Sequence, residues 1–371
     1  MIKGYSNLPN GPRTRIYHSP SPSHSPPNVH ILLSPGNPGS VTFYTNLCDY
    51  LAKATGFPVT GWGYSGHNLN DPPPHHQSLP FQASNLSSVL DHIVDVHYSP
   101  HKPLVSFVLV GHSIGCYLNR VVCRSSLHSF VKVVEVMPFV LWDPSPRSLK
   151  IPVKAAKAMG EATLRAAEGA RWIAGGIVGE GAKRKIMELQ GIKYYQDECL
   201  RLLHDPTYPR TFLTLGLDEI TTLSKPYDTP LLKSVLAKAS VTLIWTEGDV
   251  WCGRRAVEKA RGVGRGRGGG VKVVEVTREG GKGRRVRHDF VVREGWENVA
   301  RVIARETMAV AMWATERNGK LSKRARKVFD DWNEKVMGIR GIVGVGGTLA
   351  EGAEGSAFVV EEGYDCEVED V

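Results

Sequence analysis

VLVGHSIGCYLNRVV, residues 108–122, changes its hydrophobic period in the middle. Phe107, Val108, Leu109 and Val110 form an apolar run that fits a buried strand, while Tyr117, Leu118, Val121 and Val122 recur at helical spacing. The switch falls within GHSIG, and Ser113 sits on it. A serine in a tight strand-to-helix turn has its hydroxyl lifted clear of the sheet edge, and Gly111 and Gly115 let neighbouring backbone pack closely. The pattern is that of a nucleophile elbow, G-x-S-x-G.

The flanking chain repeats the same alternation. Val29 to Ser34 (VHILLS) reads as a buried strand, PGNPG as a turn, and Tyr44, Leu47, Cys48, Leu51 and Ala52 as one face of a helix ending near Gly56. Phe57 to Trp62 supplies a second strand, and Leu86, Val89, Leu90, Ile93 and Val94 line the next helix. Val131 to Val136, Val241 to Trp245 and Val271 to Val276 are further strands. Strands alternating with helices predict an α/β fold with a mostly parallel sheet, helices on both of its faces. Between Asp143 and Pro230 the alternation stops in an Ala-rich helical stretch. We read this stretch, about 144–230, as a helical cap inserted where loops at strand ends build the site.

Length and charge set limits. The chain has 371 residues, and about 250 to 300 is usual for one large α/β domain, so one domain (29–316) plus tails is expected. No apolar run approaches the ~18 residues of a membrane span. Residues 1–28, rich in Pro and Ser and lacking the apolar core of a secretory signal, are expected to form a disordered arm. Cys48, Cys116, Cys123, Cys199, Cys252 and Cys366 show no CxxC pair and read as reduced thiols of a cytosolic protein. The net charge of +9 is uneven. A Gly/Arg-rich block, about 254–287, reads as a surface insertion, and residues 317–371 as a basic helix followed by an acidic, disordered tail. No aromatic residues interleave the arginines to stack bases, so nucleic acid is not an expected partner.

A serine hydroxyl needs a base within hydrogen-bond reach, itself oriented by a carboxylate. At an elbow of this kind the chain order is Ser, then Asp or Glu, then His. Only one of the thirteen histidines, His288 in RVRHDFVV, lies beyond His204; it is therefore the expected base. His112 reads as structural, and His67 either lines the mouth of the site or is solvated. Asp249, four residues after Trp245 on the loop following a strand, is the expected acid, with Glu247 and Asp143 as alternatives. The oxyanion needs two backbone N–H donors. One belongs to Ile114, the residue after the serine. The other belongs to the PGNPG loop, where Pro35 and Pro38 have none to give and Asn37 does.

Taken together, LLSPGNPGSVTFYTNL, WGYSGH, LVGHSIGCYL, GDVWC and RHDFV, in this order and at these intervals, resemble the lipid droplet-associated hydrolase family, which is similar to α/β-hydrolase lipases. The resemblance spans roughly Val29 to Ala311. It implies the α/β-hydrolase fold, Ser113, Asp249 and His288 as a triad, and Asn37 as an oxyanion donor. It also implies residence on lipid droplets or the endoplasmic reticulum and action on neutral lipid esters such as sterol esters. MPFVLWDPSPRS departs from the family's pattern at the corresponding place, and the cap is more charged than a membrane-seeking hairpin.

The expectation is thus a serine hydrolase that cleaves a lipid acyl ester, of the sterol ester or acylglycerol class, through an acyl-enzyme intermediate without metal or cofactor. It would bind a droplet or membrane surface peripherally, with a cytosolic pool. Docking is expected through Trp172, Ile173, Ile177 and Val178 together with the basic block. Two other classes use the same residues: a catalytically weak, hydrolase-like scaffold that organises droplets, and an acyltransferase.

Overall fold

Phe107 to Val110 form the middle of β5 (Ser106–His112), the strand at the heart of the sheet. The computed structural model describes residues 3–8, 14–21, 28–67, 78–98, 105–139, 179–205, 208–223, 229–247, 249, 251–263, 270–276, 286–293 and 295–317. The other strands are β1 (Gly4–Asn7), β2 (Arg15–Ser19), β3 (Val29–Ser34), β4 (Val59–Trp62), β6 (Ser129–Val136), β7 (Ser240–Trp245) and β8 (Lys272–Glu275). They make one eight-stranded sheet in the order β1-β2-β4-β3-β5-β6-β7-β8. From β4 to β8 all pairings are parallel, while β2 on β4 and β1 on β2 are antiparallel.

Side chains alternate across the sheet, and each face packs into its own core. Leu32, Phe107, Leu109, Val133, Val241 and Leu243 belong to one, Ile31, Leu33, Val108, Val110, Val134 and Ile244 to the other. Burying each of these side chains stabilises the fold by about 1.5–3 kcal/mol. The helices are α1 (Thr45–Thr55), α2 (Leu79–His97), α3 (Ile114–Ser125), α4 (Glu180–Leu189), α5 (Gln196–His204), α6 (Tyr208–Thr222), α7 (Thr229–Leu236), α8 (Arg254–Gly262) and α9 (Trp296–Arg317). Helices α2, α3, α7 and α8 cover the first face, α1 and α9 the second. Ser78 starts α2 by accepting the Phe81 N–H, and Gly56 ends α1 with φ 70°. Under the elbow, Arg120 of α3 and Glu135 of β6 form a fully buried bidentate pair at 2.5 and 2.6 Å. Each charge is held by the other, so truncating either one strands its partner.

Two expectations are corrected. Residues 1–28 were expected to be a disordered arm, yet they contribute β1 and β2 to the sheet. Ile16 and Tyr17 are buried there, β2 pairs with the edge of β4, and the Tyr17 hydroxyl donates to Asp49 at 2.8 Å. The Pro- and Ser-rich flanks hid a short strand whose partner lies more than forty residues away. The Gly/Arg block was expected to be a surface insertion, yet it opens with α8 and contains β8. Ala256, Val257 and Ala260 form a buried stripe under an otherwise cationic surface. Within the expected cap, α4, α5 and α6 fill 180–222, whereas 140–178 and the tail from 318 onward lie outside the described residues.

Candidate active site

Ser113 joins β5 to α3 with φ 54° and ψ −119°, a conformation that L-residues avoid. Such strain costs about 1–3 kcal/mol and persists only where the surroundings enforce it. Here they do: the Ser113 N–H donates to Val136 O at 3.0 Å, and the Ser113 carbonyl accepts from the N–H of Cys116 and of Phe139. The elbow glycines are required sterically. A Cβ on Gly111 would lie 2.8 Å from the backbone of Cys116, and one on Gly115 would lie 2.5 Å from the carbonyl oxygens of Ser34 and Pro35.

Three loops at the C-terminal ends of strands bring Ser113, His288 and Asp249 together. His288 Nδ1 is 2.9 Å from Asp249 Oδ2, and His288 Nε2 is 2.8 Å from Ser113 Oγ. The carboxylate can only accept, so Nδ1 carries the proton and Nε2 is left to accept from the serine hydroxyl. Asp249 Oδ1 is turned the other way, accepting the N–H groups of Trp251 at 2.8 Å and Cys252 at 3.3 Å. Its side chain is fully buried, that of His288 20% exposed. This arrangement can draw a proton from Ser113 onto Nε2 and steady the resulting imidazolium. Glu247, the alternative acid, is exposed on the same loop, and Asp143 lies outside the described residues.

The PGNPG loop passes over Ser113: a Cβ on Gly36 would lie 3.0 Å from Ser113 Cβ. Its neighbour Asn37 keeps its backbone N–H without an acceptor among the described residues, and Ile114 at the first turn of α3 does the same. The Asn37 amide meanwhile donates to Phe212 O of α6 at 3.0 Å, tying the loop to the inserted helices. Glu219 of the same helix lies near that amide, and burial pushes its carboxyl up to about 8, against the smaller lowering effect of Asn37. Tyr64 donates its hydroxyl to Pro35 O, and His67 Nδ1 donates to Pro38 O at 2.7 Å. His67 is thus not solvated. It is fully buried behind the loop, and burial lowers its pKa to about 4.

His112 lies nearer His288 than its elbow position suggested. Its ring centroid is 5.0 Å from that of His288, and its Nε2 donates to the His288 carbonyl at 2.8 Å. Tyr44 and Trp251 are the neighbours that sequence reasoning passed over. Tyr44 bonds His112 at 2.6 Å, and the Trp251 ring sits 6.5 Å from His288. Tyr44 carried a signal as a helix-face residue and as part of LLSPGNPGSVTFYTNL. Trp251 carried one only through GDVWC, where an aromatic follows the acid. Among the described residues, no group of three or more His, Cys, Asp or Glu is placed to hold a metal ion.

A family model described as lipid-droplet associated hydrolase matches residues 27–291. A lipid droplet-associated hydrolase of Dictyostelium discoideum is 28% identical over 131 residues, which cover 34% of this chain and 42% of that one. The chain is therefore matched over less than half the length of that relative. Among solved structures, an esterase from Thermogutta terrifontis superposes with a TM-score of 0.52 at 16% identity, covering 84% of this chain and all of that one. An esterase from Exiguobacterium antarcticum gives 0.51 at 13% identity, covering 82% and 99%. At such identities the likeness is one of fold, and the fold is that of the α/β hydrolases.

Proposed function

Because the chain belongs to the lipid-droplet associated hydrolase family, we propose that it is a serine esterase whose substrate is a lipid acyl ester, of the sterol ester or acylglycerol class. The observation that carries this reading is the unbroken hydrogen-bond chain from Ser113 through His288 to Asp249. Ser113 Oγ attacks the ester carbonyl carbon as its proton passes to His288 Nε2, and the carbonyl oxygen becomes an oxyanion held by the Asn37 and Ile114 N–H groups. The C–O bond breaks, the leaving alcohol takes the proton from Nε2, and an acyl-enzyme remains. Water then gives its proton to Nε2 as its oxygen attacks the acyl carbon, and the proton returns to Ser113 as the fatty acid leaves. The residues of the chain carry every step.

A water-insoluble ester has to be met at a lipid surface. None of the helices among the described residues is long and apolar enough to cross a membrane, so the docking proposed here is peripheral. Helix α4 supports it: Ile186 is 49% and Leu189 78% exposed, beside Arg184 and Lys185. The residue after its end is tied by Gln190 O to Arg293, five positions beyond His288, so this surface lies beside the base loop. The residues Trp172, Ile173, Ile177 and Val178 expected to insert lie outside the described residues. Basic side chains near anionic headgroups add about 1 kcal/mol each, an attraction that salt weakens.

Two experiments test the proposal. A fluorophosphonate probe should label Ser113, and Ser113→Ala should lose both labelling and lipid-ester turnover while keeping the unfolding temperature. Wild-type turnover in that variant would remove the mechanism. Flotation with neutral-lipid droplets should carry the protein at low salt and less of it at high salt. Absence from the droplet layer at both salts would remove the docking and leave the chemistry standing.

A further inference from the structure

The hydrogen bonds of His112 leave its ring no choice of tautomer. The His288 carbonyl, 2.8 Å away, can only accept, so His112 Nε2 bears the proton. His112 Nδ1 is then a bare acceptor and takes the Tyr44 hydroxyl at 2.6 Å. The Tyr44 oxygen in turn accepts the N–H of Gly36 at 2.9 Å. A directed chain therefore runs from the Gly36 N–H to the Tyr44 O–H and the His112 ring, and from there to the His288 carbonyl. One end is the residue before Asn37, the other is the base itself, and the middle adjoins Ser113. Both linking side chains are buried, Tyr44 4% and His112 7% exposed.

We propose that Tyr44 and His112 are positioning residues which hold the oxyanion loop and the base loop in one register around Ser113, a role that rests on the serine-esterase reading above. The chain works only with a neutral His112. A second ring proton would point at a Tyr44 oxygen that already accepts from Gly36, and the Tyr44 hydroxyl proton would then lose its acceptor. Burial, with a smaller contribution from nearby His288, holds the His112 pKa well below the usual histidine value. Neutrality also suits the reaction. The two rings are 5.0 Å apart, so a charged His112 would oppose the imidazolium that His288 becomes in the transition state.

Nitrogen-15 NMR of histidine-labelled full-length protein tests the chain directly. His112 should appear as the neutral Nε2–H tautomer at pH 7; the Nδ1–H tautomer or an imidazolium would overturn it. Kinetics test the positioning. H112F keeps an aromatic ring but neither hydrogen bond, and should lower kcat about 10- to 100-fold, the effect of displacing a reacting group by up to an ångström, with KM little changed. H112Q, whose amide offers an acceptor and a donor, should restore most of that loss, which a merely space-filling role would not produce. Y44F should resemble H112F, and the double variant should be no worse than H112F alone, because both cut one chain. Wild-type kcat in H112F, or additive losses in the double variant, would overturn the proposal. Should H112F fail to fold, Y44F, which removes a single oxygen, decides the kinetics. An inactive wild-type protein would sink the esterase reading, while the tautomer would still decide whether the chain exists.

Discussion

Gly115→Ala tests whether the elbow and the oxyanion loop are mechanically coupled. The new methyl carbon would lie 2.5 Å from the carbonyl oxygens of both Ser34 and Pro35, whereas ordinary contact begins at 3.4 Å, so 3.4 − 2.5 = 0.9 Å must be found. Helix α3 is poorly placed to yield, because Ser113 at its start donates its N–H to Val136 O and accepts from the Phe139 N–H, and the helix packs on α2. The end of β3 is tied to β5 by the Ser34–Gly111 pairing. Because the Ser34 carbonyl is one of the two atoms met, the end of β3 must give together with Pro35 and the loop beyond it, which includes Gly36 and Asn37. Overpacking of this kind costs about 1–3 kcal/mol, and the better helix propensity of alanine returns up to about 1 kcal/mol of it. A shift of nearly 1 Å in an oxyanion donor costs up to about 100-fold in rate. Both should fall: kcat on a soluble acyl ester lower by about 30- to 100-fold, equivalent to about 2 to 3 kcal/mol of barrier, and thermal unfolding lowered by several degrees. A variant with wild-type kcat and an unchanged unfolding temperature would refute the argument, because it would show that the loop absorbs the methyl group without moving the donors.

Three further predictions rest on other groups. Asp249→Asn should lower kcat by about 10⁴, because an amide nitrogen facing His288 Nδ1 forces the proton onto Nε2 and abolishes its acceptance from Ser113; wild-type kinetics would exclude Asp249 as the acid. Burial, with a smaller contribution from His97, lowers His18 to about 4, and burial holds His30 well below its usual value. The unfolded chain binds these protons near pH 6.5 and the folded one does not. The contribution of these histidines should thus be full above pH 6.5 and be lost towards pH 4, by about 3 kcal/mol for His18 alone, a slope that urea titrations of His18→Asn would show flattened. Glu219, raised to about 8 by burial, has the opposite sign: the unfolded chain releases its proton above about pH 4.5 while the folded one keeps it, so stability drains as pH rises towards 8. Glu219→Gln should therefore raise the unfolding temperature at pH 8 and hardly at all at pH 4.5, and an equal gain at both would refute the assignment.

Much of the fold is legible because most strands from β3 to β8 carry an apolar run, and the period switch within GHSIG marks the turn from β5 into α3. The elements that carry no local signal take their burial from partners distant in sequence. In β2, Arg15 to Ser19 alternates weakly and gains its burial only from the edge of β4, a contact no local pattern announces. In α8 the buried stripe of Ala256, Val257 and Ala260 is made of small residues set among five Lys, Arg and Glu side chains, so composition outweighed periodicity.

The site divides along the same physical line. Ser113, Asp249 and His288 each stand at the end of a recognisable strand or in the order that this fold imposes, so topology nominates Ser113 and His288 and narrows the acid to Asp249, Glu247 or Asp143, of which the structure brings Asp249 within hydrogen-bond distance of His288. Their supports obey no such order. Tyr44 and His112 are 68 residues apart, His112 and the His288 carbonyl 176 apart, and Asn37 and Phe212 175 apart. Each of these bonds joins a side chain to a backbone group or to a lone ring nitrogen, and backbone groups have no residue signature. A reacting group has to be one of a few side chains with the right chemistry, whereas almost any buried donor can hold a carbonyl in place. Residues that do chemistry are therefore readable in a sequence, and residues that aim them become visible only when the loops are brought together. For this reason GHSIG pointed at once to Ser113, while the histidine beside it looked like packing until its proton could be followed to His288.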